Sequence, residues 1–447
     1  MKTNRKSRGG PALKTHEGAP ARHIDPLAQL RRSVCSCLLW EHEFYEDGVE
    51  IADRIANLVT LCKPADVAAL AIEARESFHL RHVPLLLVRE LARHPQRRPD
   101  RLISTTLARV IQRADELTEF LSIYWSKRKE PLSKQVKRGL AWAFHRFDEY
   151  HLAKYNRDNV VKLRDVLFMT HPKPRDEAQS ALWKKLAAGE LATPDTWEVE
   201  LSAGKDKRET FERLIREGKL GYLALLRNLR AMIRFNCDEA LVRDAIRARK
   251  GAGRVLPFRF IMAARHAPQF EPVLDEAMQA SMRELQKLPG RTFILVDNSG
   301  SMYMGLSGQS DLKRNDAAAG VAILAQGVAE DVRIFAFSDV MTEVPPRSGM
   351  ALADALTRAT AHGSTMLGDA VTKLNAMAYD RLIVVTDEQA HDSVPNPKGR
   401  GYMINVASNK NGVGYGDWVH IDGWSDAVVR YISEYERQGA SDEHTAA

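Results

Sequence analysis

The chain has 447 residues, 44% hydrophobic and 28% charged, with a net charge of +7; this is enough apolar material for two or three cored domains of about 150 residues each and excludes a disordered chain. The charge is unevenly spread. Residues 291–447 hold 13 Lys and Arg against 20 Asp and Glu, and residues 1–290 hold 52 against 38, so the first part suits either a polyanionic partner or a set of solvated basic helix faces.

Residues 1–25 mix Gly, Pro, Lys and Arg without periodicity and read as a basic, extended segment; no apolar stretch follows to make a signal peptide. The four cysteines, Cys35, Cys37, Cys62 and Cys237, are too few and scattered for a disulfide framework and read as buried thiols of a reduced, cytoplasmic protein. No run approaches the ~20 apolar residues of a membrane span.

From Asp25 onward apolar residues fall at helical spacing: Leu27, Leu30, Val34 and Leu38, then Ile51, Ile55, Leu58 and Leu61, then Val67, Leu70 and Ile72. Trp40, Phe44 and Tyr45 read as core aromatics. Pro64, Pro84, Pro95 and Pro99 fall near expected helix starts. Val83-Pro-Leu-Leu-Leu-Val-Arg-Glu-Leu91 reads as a helix buried on most sides. Helices of this length, joined by short polar turns over two hundred residues, predict an α-solenoid of stacked pairs with no fixed sequence period.

Within it, Pro131-Leu-Ser-Lys-Gln-Val-Lys-Arg138 opens a helix with Lys134, Lys137 and Arg138 at i, i+3 and i+4 on one face. Then come His151-Leu-Ala-Lys154-Tyr-Asn-Arg157-Asp158 and Val166-Leu-Phe-Met-Thr-His171-Pro-Lys-Pro174. Read alone, the three basic residues are a solvated helix face, and His171 ends a helix because the residue before a proline leaves the α region.

A boundary falls near Leu288-Pro-Gly290, giving a helical module over 26–289 and an α/β domain over 290–447. The strands Thr292–Asp297, Val332–Ser338, Leu382–Asp387 and Tyr402–Ala407 alternate with helices around Ala317–Ala329, Met350–Ala359 and Met366–Ala378, and a last helix starts at Asp426. This pattern predicts a doubly wound parallel sheet. Thr292-Phe-Ile-Leu-Val-Asp297-Asn-Ser299-Gly-Ser301 is a buried strand ending in hard oxygen donors, at the sheet end where such folds bind ligands. Thr365, in Gly363-Ser-Thr-Met-Leu-Gly-Asp-Ala370, and Asp387, ending Leu382-Ile-Val-Val-Thr-Asp387, complete a set of carboxylates and hydroxyls suited to Mg²⁺. The Gly/Ser-rich insertion Met302–Lys313 lies beside it.

The order Asp-x-Ser-x-Ser, then Thr, then Asp after a strand, resembles the metal-ion-dependent adhesion site (MIDAS) of von Willebrand factor A domains. The strings around Lys134–His171, with Trp40-Glu-His-Glu-Phe-Tyr-Glu-Asp-Gly48, Leu225-Leu-Arg-Asn-Leu229 and Leu256-Pro-Phe-Arg-Phe260, resemble the TROVE module of the Ro family over roughly residues 8–285. That resemblance implies a monomeric ring of HEAT-like helices closed by the A domain. It implies RNA quality control or a ribonucleoprotein scaffold, with single-stranded 3′ ends of misfolded RNA in the hole and a Y RNA on the basic surface. It also implies an exoribonuclease partner such as polynucleotide phosphorylase. Lys154 and His171 match family residues that contact RNA, and Lys137 and Arg138 match a basic pair. Arg157 departs, since the family arginine usually falls where this chain has Asp158.

No enzyme is expected. The chain shows no P-loop and no nucleophile elbow, and the metal ligands are half hydroxyl; His391-Asp392 would be the candidate base of a metal-dependent hydrolase. The competing function is a protein-interaction module in which a metal at Asp297, Ser299 and Ser301 grips an acidic partner.

Overall fold

The structure is a computed structural model that describes residues 13–14, 20–21, 26–36, 48–77, 80–96, 100–126, 128–202, 204–255, 257–283, 287–307, 310–407, 413, 417–422, 428–429, 432–433 and 436. Trp40, Phe44, Tyr45, Cys37, Pro99, Leu256 and Asp426 lie outside these residues, as do the side chain of Cys35 and most of 1–25.

The helices up to residue 170 are α1 (Pro26–Ser36), α2 (Gly48–Leu61), α3 (Pro64–Glu76), α4 (His82–Arg93), α5 (Leu102–Val110), α6 (Asp115–Tyr124), α7 (Lys134–Phe144), α8 (Glu149–Tyr155) and α9 (Leu163–Thr170). They continue as α10 (Glu177–Ala188), α11 (Trp197–Ser202), α12 (Lys207–Arg216), α13 (Tyr222–Arg234), α14 (Glu239–Ala248), α15 (Pro257–His266) and α16 (Glu271–Arg283). Two compact units are present: residues 33–40 and 48–245, and residues 1–32, 41–47 and 246–447.

In the first unit α3, α5, α7 and α9 pack in succession as one row, while α2, α4 and α6 form a neighbouring row. This is the expected solenoid arrangement, in which each helix buries its apolar stripe against the next pair. Caps set the helix starts: the side chains of Ser133, Asp148, Asp176 and Asp206 accept backbone N–H bonds at α7, α8, α10 and α12. Pro64 opens α3, Pro84 sits in the first turn of α4, and Pro95 follows the end of α4 rather than opening a helix. Val83–Arg89, Leu91 and Ala92 of α4 are buried, as the apolar run predicted. Two features lock the rows. A Cβ on Gly139 would stand 2.9 Å from Leu107 Cβ, so α7 and α5 meet backbone to backbone. Buried Arg75 donates to Glu116 at 2.8 Å and to the Val110 carbonyl at 2.9 Å.

The second unit is built on a six-stranded sheet. Two short strands, β1 (Leu13–Lys14) and β2 (Pro20–Ala21), pair near the start of the chain. The main strands are β3 (Leu288–Asp297), β6 (Ala329–Phe337), β7 (Met341–Glu343), β8 (Arg381–Thr386), β9 (Arg400–Asn405) and β10 (Trp418–Asp422), with a hairpin of β4 (Gly305–Ser307) and β5 (Ser310–Lys313) outside the sheet. The order is β10-β9-β8-β3-β6-β7. All neighbours are parallel except β6 and β7, so the sheet carries one antiparallel edge that the strand pattern did not predict. The helices α17 (Arg314–Val328), α18 (Gly349–Arg358) and α19 (Leu367–Asn375) complete the fold.

β3 is buried from Thr292 to Asp297 and apolar from Phe293 to Val296 because both its faces are covered there. Phe293 and Leu295 share a buried cluster with Leu367, Val371 and Leu374 of α19, and α17 also packs on β3. α15 and α16 pack on α17, so this unit takes in helices that precede the expected boundary. β6 lies on one side of β3 and β8 on the other. The strand order therefore reverses at β3, which makes the carboxyl ends of β3 and β8 the ligand crevice of such a sheet.

Candidate metal centre and nucleic-acid interface

β3 and β8 run parallel with Val296 beside Val385, which sets Asp297 next to Thr386. The Thr386 hydroxyl donates to Asp297 Oδ2 at 2.6 Å, and the Ser299 backbone N–H donates to Asp297 Oδ1 at 2.9 Å. Ser299 and Ser301 place their hydroxyl oxygens 3.2 Å apart. The Thr365 loop closes on this turn: Gly300 N–H donates to the Gly363 carbonyl at 3.2 Å. Asp387 follows β8 directly. All five residues singled out as metal ligands thus gather at one sheet end. Asp297, Ser299, Thr365 and Asp387 are buried.

Burial and the charge of Asp387 push the Asp297 carboxyl up to about 7, the response of a carboxylate removed from water beside a like charge. Two carboxylates with three hydroxyls are a hard-oxygen donor set, and a Mg²⁺-sized cation would relieve that repulsion, so the residues fit such an ion. No three His, Cys, Asp or Glu side chains cluster as metal ligands among the described residues.

One participant was not read from the sequence. Arg314, the first residue of α17, is 1% exposed and donates from Nη1 to Asp387 Oδ2 at 3.0 Å. A positive charge is therefore built into the crevice. The available signal was an arginine opening an Ala-rich helix whose positions are almost all buried. Asn298 is a positioning residue, donating to the Leu356 carbonyl at 3.1 Å and to Thr360 Oγ1 at 3.0 Å.

His391 and Asp392 hold the Thr365 loop. His391 Nδ1 accepts the Thr365 N–H at 3.2 Å, and the His391 backbone N–H donates to the Thr365 carbonyl at 3.0 Å. Asp392 accepts the Gly368 and Asp369 N–H groups at 2.8 and 2.7 Å, filling donors at the start of α19. Gly368 is glycine because a Cβ there would run into the Ser393 carbonyl oxygen.

The basic residues singled out in the helical region lie on α7, α8, the segment after α8 and the end of α9. Lys134 and Lys137 are exposed on α7, and Arg138 is half-buried with its guanidinium 6.0 Å from the Trp142 ring. Lys154 on α8 lies 5.5 Å from the Tyr150 ring and 5.9 Å from that of Tyr155. Arg157 is exposed, and Asp158 beside it is held by Lys162 at 2.5 Å. His171 ends α9 in the left-handed region at φ 45°. It lines, with Lys137, Lys129, Trp125 and the 56% exposed Phe168, a cleft of 520 Å³. Lys137 and His171 thus meet in one cleft that does not include Lys154 or Arg157. Glu130, paired with Arg93, is also on its wall, and sequence spacing alone did not connect Lys129 and Trp125 to His171.

These cations contrast with the paired arginines between α3 and α6. Arg75, Arg81, Arg89, Arg93, Arg109 and Arg113 each pair with a carboxylate. Among the described residues, Lys134, Lys137, Arg138, Lys154, Arg157 and His171 have no carboxylate within ion-pair distance. No described helix is long and apolar enough to cross a membrane.

A TROVE domain model matches residues 175–292. The structure superposes on the crystal structure of the RO (RSR) protein of Deinococcus radiodurans with a TM-score of 0.63 and 17% identity, covering 90% of this chain and 97% of that one. Telomerase protein component 1 of Mus musculus is 37% identical over 89 residues, and that of Rattus norvegicus 36% over 89 residues. Each alignment spans 18% of this chain and only 3% of the relative.

Proposed function

From the TROVE domain this chain carries, we propose that it binds RNA as a Ro-like protein, holding single-stranded 3′ ends of misfolded or structured noncoding RNA. The observation that supports this most is that Lys134, Lys137, Arg138, Lys154, Arg157 and His171 have no carboxylate within ion-pair distance among the described residues, while Arg138 lies by the Trp142 ring, Lys154 by that of Tyr150, and Lys137 and His171 share a cleft with Trp125 and Phe168. Lone cations hold phosphates, and rings stack bases that are unpaired, so the combination favours single strands over duplex. The same reading extends to a Y-type small RNA on this surface and to an exoribonuclease such as polynucleotide phosphorylase recruited through it.

Mg²⁺ at Asp297, Ser299, Ser301, Thr365 and Asp387 would supply an open coordination position for an acidic side chain of a protein partner. In this chain's own residues, Asp297 and Asp387 provide the charge, the hydroxyls complete the shell, and Arg314 holds Asp387. The module is a binder in this reading, with no step of catalysis assigned.

The test is RNA capture by the purified chain and its Lys154→Ala/His171→Ala variant. Loss of capture in the variant, with an unchanged melting temperature, is the expected result. Equal capture by both would place RNA recognition outside Lys154 and His171, and capture by neither would leave the metal-dependent interaction module as the function.

A further inference from the structure

A second basic surface lies on α12 and α13. The arginines of α12 and the lysine of the turn after it are committed to the fold. Arg208 and Arg216 pair with Glu212, Arg213 with Asp195 and Glu217, and Lys219 with Asp195 and Glu217. On α13 the pattern is the opposite. Arg227, Arg230 and Arg234, three and four residues apart, share one helix face. Among the described residues neither they nor Lys207 has a carboxylate within ion-pair distance. Like charges along one face repel, so nothing in the fold accounts for the row.

These four cations line one cleft of 1100 Å³ with the rings of Trp197 and Phe235, and Glu198 is the one carboxylate on its wall among the described residues. The Lys207 ammonium lies 4.7 Å, and the Arg234 guanidinium 5.7 Å, from the Phe235 ring centre. Cations spaced along a helix with aromatic platforms between them form the general arrangement that tracks a polynucleotide backbone and stacks its bases. Guanidinium forks match phosphate oxygens in pairs. An acidic peptide would engage the charges but leave the two rings without a use.

We propose that this cleft is a further binding site for single-stranded RNA, in which Arg227, Arg230, Arg234 and Lys207 hold successive phosphates and Trp197 or Phe235 stacks a base. It rests on the RNA-binding reading above and adds a site to it. The path of a bound strand would then run beyond the Lys137–His171 cleft, and the chain would hold a longer single strand than that cleft alone accommodates.

The experiment uses the full chain and a short fluorescein-labelled oligouridylate, read by anisotropy across a salt series. Arg227 and Arg230 are chosen because neither makes a side-chain bond among the described residues, so Arg227→Ala/Arg230→Ala should leave the fold intact. The expected result is about a tenfold or greater loss of affinity. The log–log salt slope should become shallower by about 1.4, or about 0.7 for each single-strand phosphate no longer held. Arg227→Lys/Arg230→Lys should restore the slope. Trp197→Leu should weaken binding with the slope unchanged, the sign of a missing base stack. If the wild-type chain binds and the alanine pair matches it in affinity and slope, the cleft proposal falls while the RNA reading stands. If the wild-type chain does not bind, the RNA reading itself falls. If polyglutamate displaces the oligouridylate at equal charge concentration, the cleft is a site for acidic protein and the assignment is overturned.

Discussion

Replacing Arg314 by methionine removes the built-in cation of the candidate metal crevice while nearly preserving its volume. Arg314 is 1% exposed and Asp387 fully buried, at 3.0 Å; truncating one member of such a pair costs about 3–5 kcal/mol, because the remaining charge stays desolvated and uncompensated. Here the remaining charge also faces Asp297, whose carboxyl is already pushed up by Asp387, so the upper part of that range applies. In a unit of about 200 residues, 1 kcal/mol moves the melting temperature by about 2–4 °C. Arg314→Met should therefore melt about 10–15 °C or more below wild type in chelator. Adding Mg²⁺ should recover most of that loss, since a divalent ion then meets two carboxylates with no guanidinium between them. The wild-type chain should gain less from the same ion. Arg314→Lys should fall between the two. Thermal melts of the three proteins in chelator and in Mg²⁺ read this directly. If Arg314→Met melts with wild type in chelator, or if Mg²⁺ raises both equally, the account of a charge-balanced crevice is refuted.

Other perturbations test the scaffold. Gly139→Val should destabilise the helical unit by about 1–3 kcal/mol through overpacking against Leu107, which is only 2.9 Å from a Cβ at that position; a lower urea midpoint with an unchanged slope is the expected readout. Glu116→Ala should cost about 3–5 kcal/mol by taking the Glu116 carboxylate from the buried Arg75 charge, which keeps its bonds to the Val110 and Leu80 carbonyls, and a midpoint unchanged from wild type would refute this. Burial pushes the Cys237 thiol up to about 11, above its value in the unfolded chain. Folding therefore favours the protonated form, and Cys237 contributes stability that is lost as pH rises between about 9 and 11. At pH 8 its alkylation should be about a hundredfold slower than that of an exposed thiol, and urea should abolish the difference. Rapid alkylation of Cys237 in the native chain would contradict the described burial.

What was legible in the sequence followed periodicity and local chemistry. The α4 run and the β3 and β8 strands announced their burial because apolar residues run unbroken through Val83–Val88, Phe293–Val296 and Leu382–Val385. That the five candidate metal ligands would gather at one sheet end was legible because each sits at a strand end or in a Gly-bounded loop, positions whose geometry the local letters specify. The short strands β7 and β10 were not read, since three to five residues at a sheet edge leave too little pattern. Arg314 escaped notice because its partner is 73 residues away, and no local pattern encodes such a pair. The membership of α15 and α16 in the sheet-bearing unit is likewise a matter of packing on α17, which helical periodicity does not specify. The contrast between paired and unpaired cations, which carries both RNA proposals, is visible only once the carboxylates are placed.

The central claim is recognition of unpaired RNA by the basic helical unit, and it is tested most directly by binding of a hairpin RNA with and without a single-stranded 3′ tail. The measurement is made across a salt series in Mg²⁺ and in chelator. The account predicts binding that requires the tail, weakens steeply with salt, persists in chelator and leaves the RNA uncleaved. Binding indifferent to the tail, or no binding at all, would contradict it.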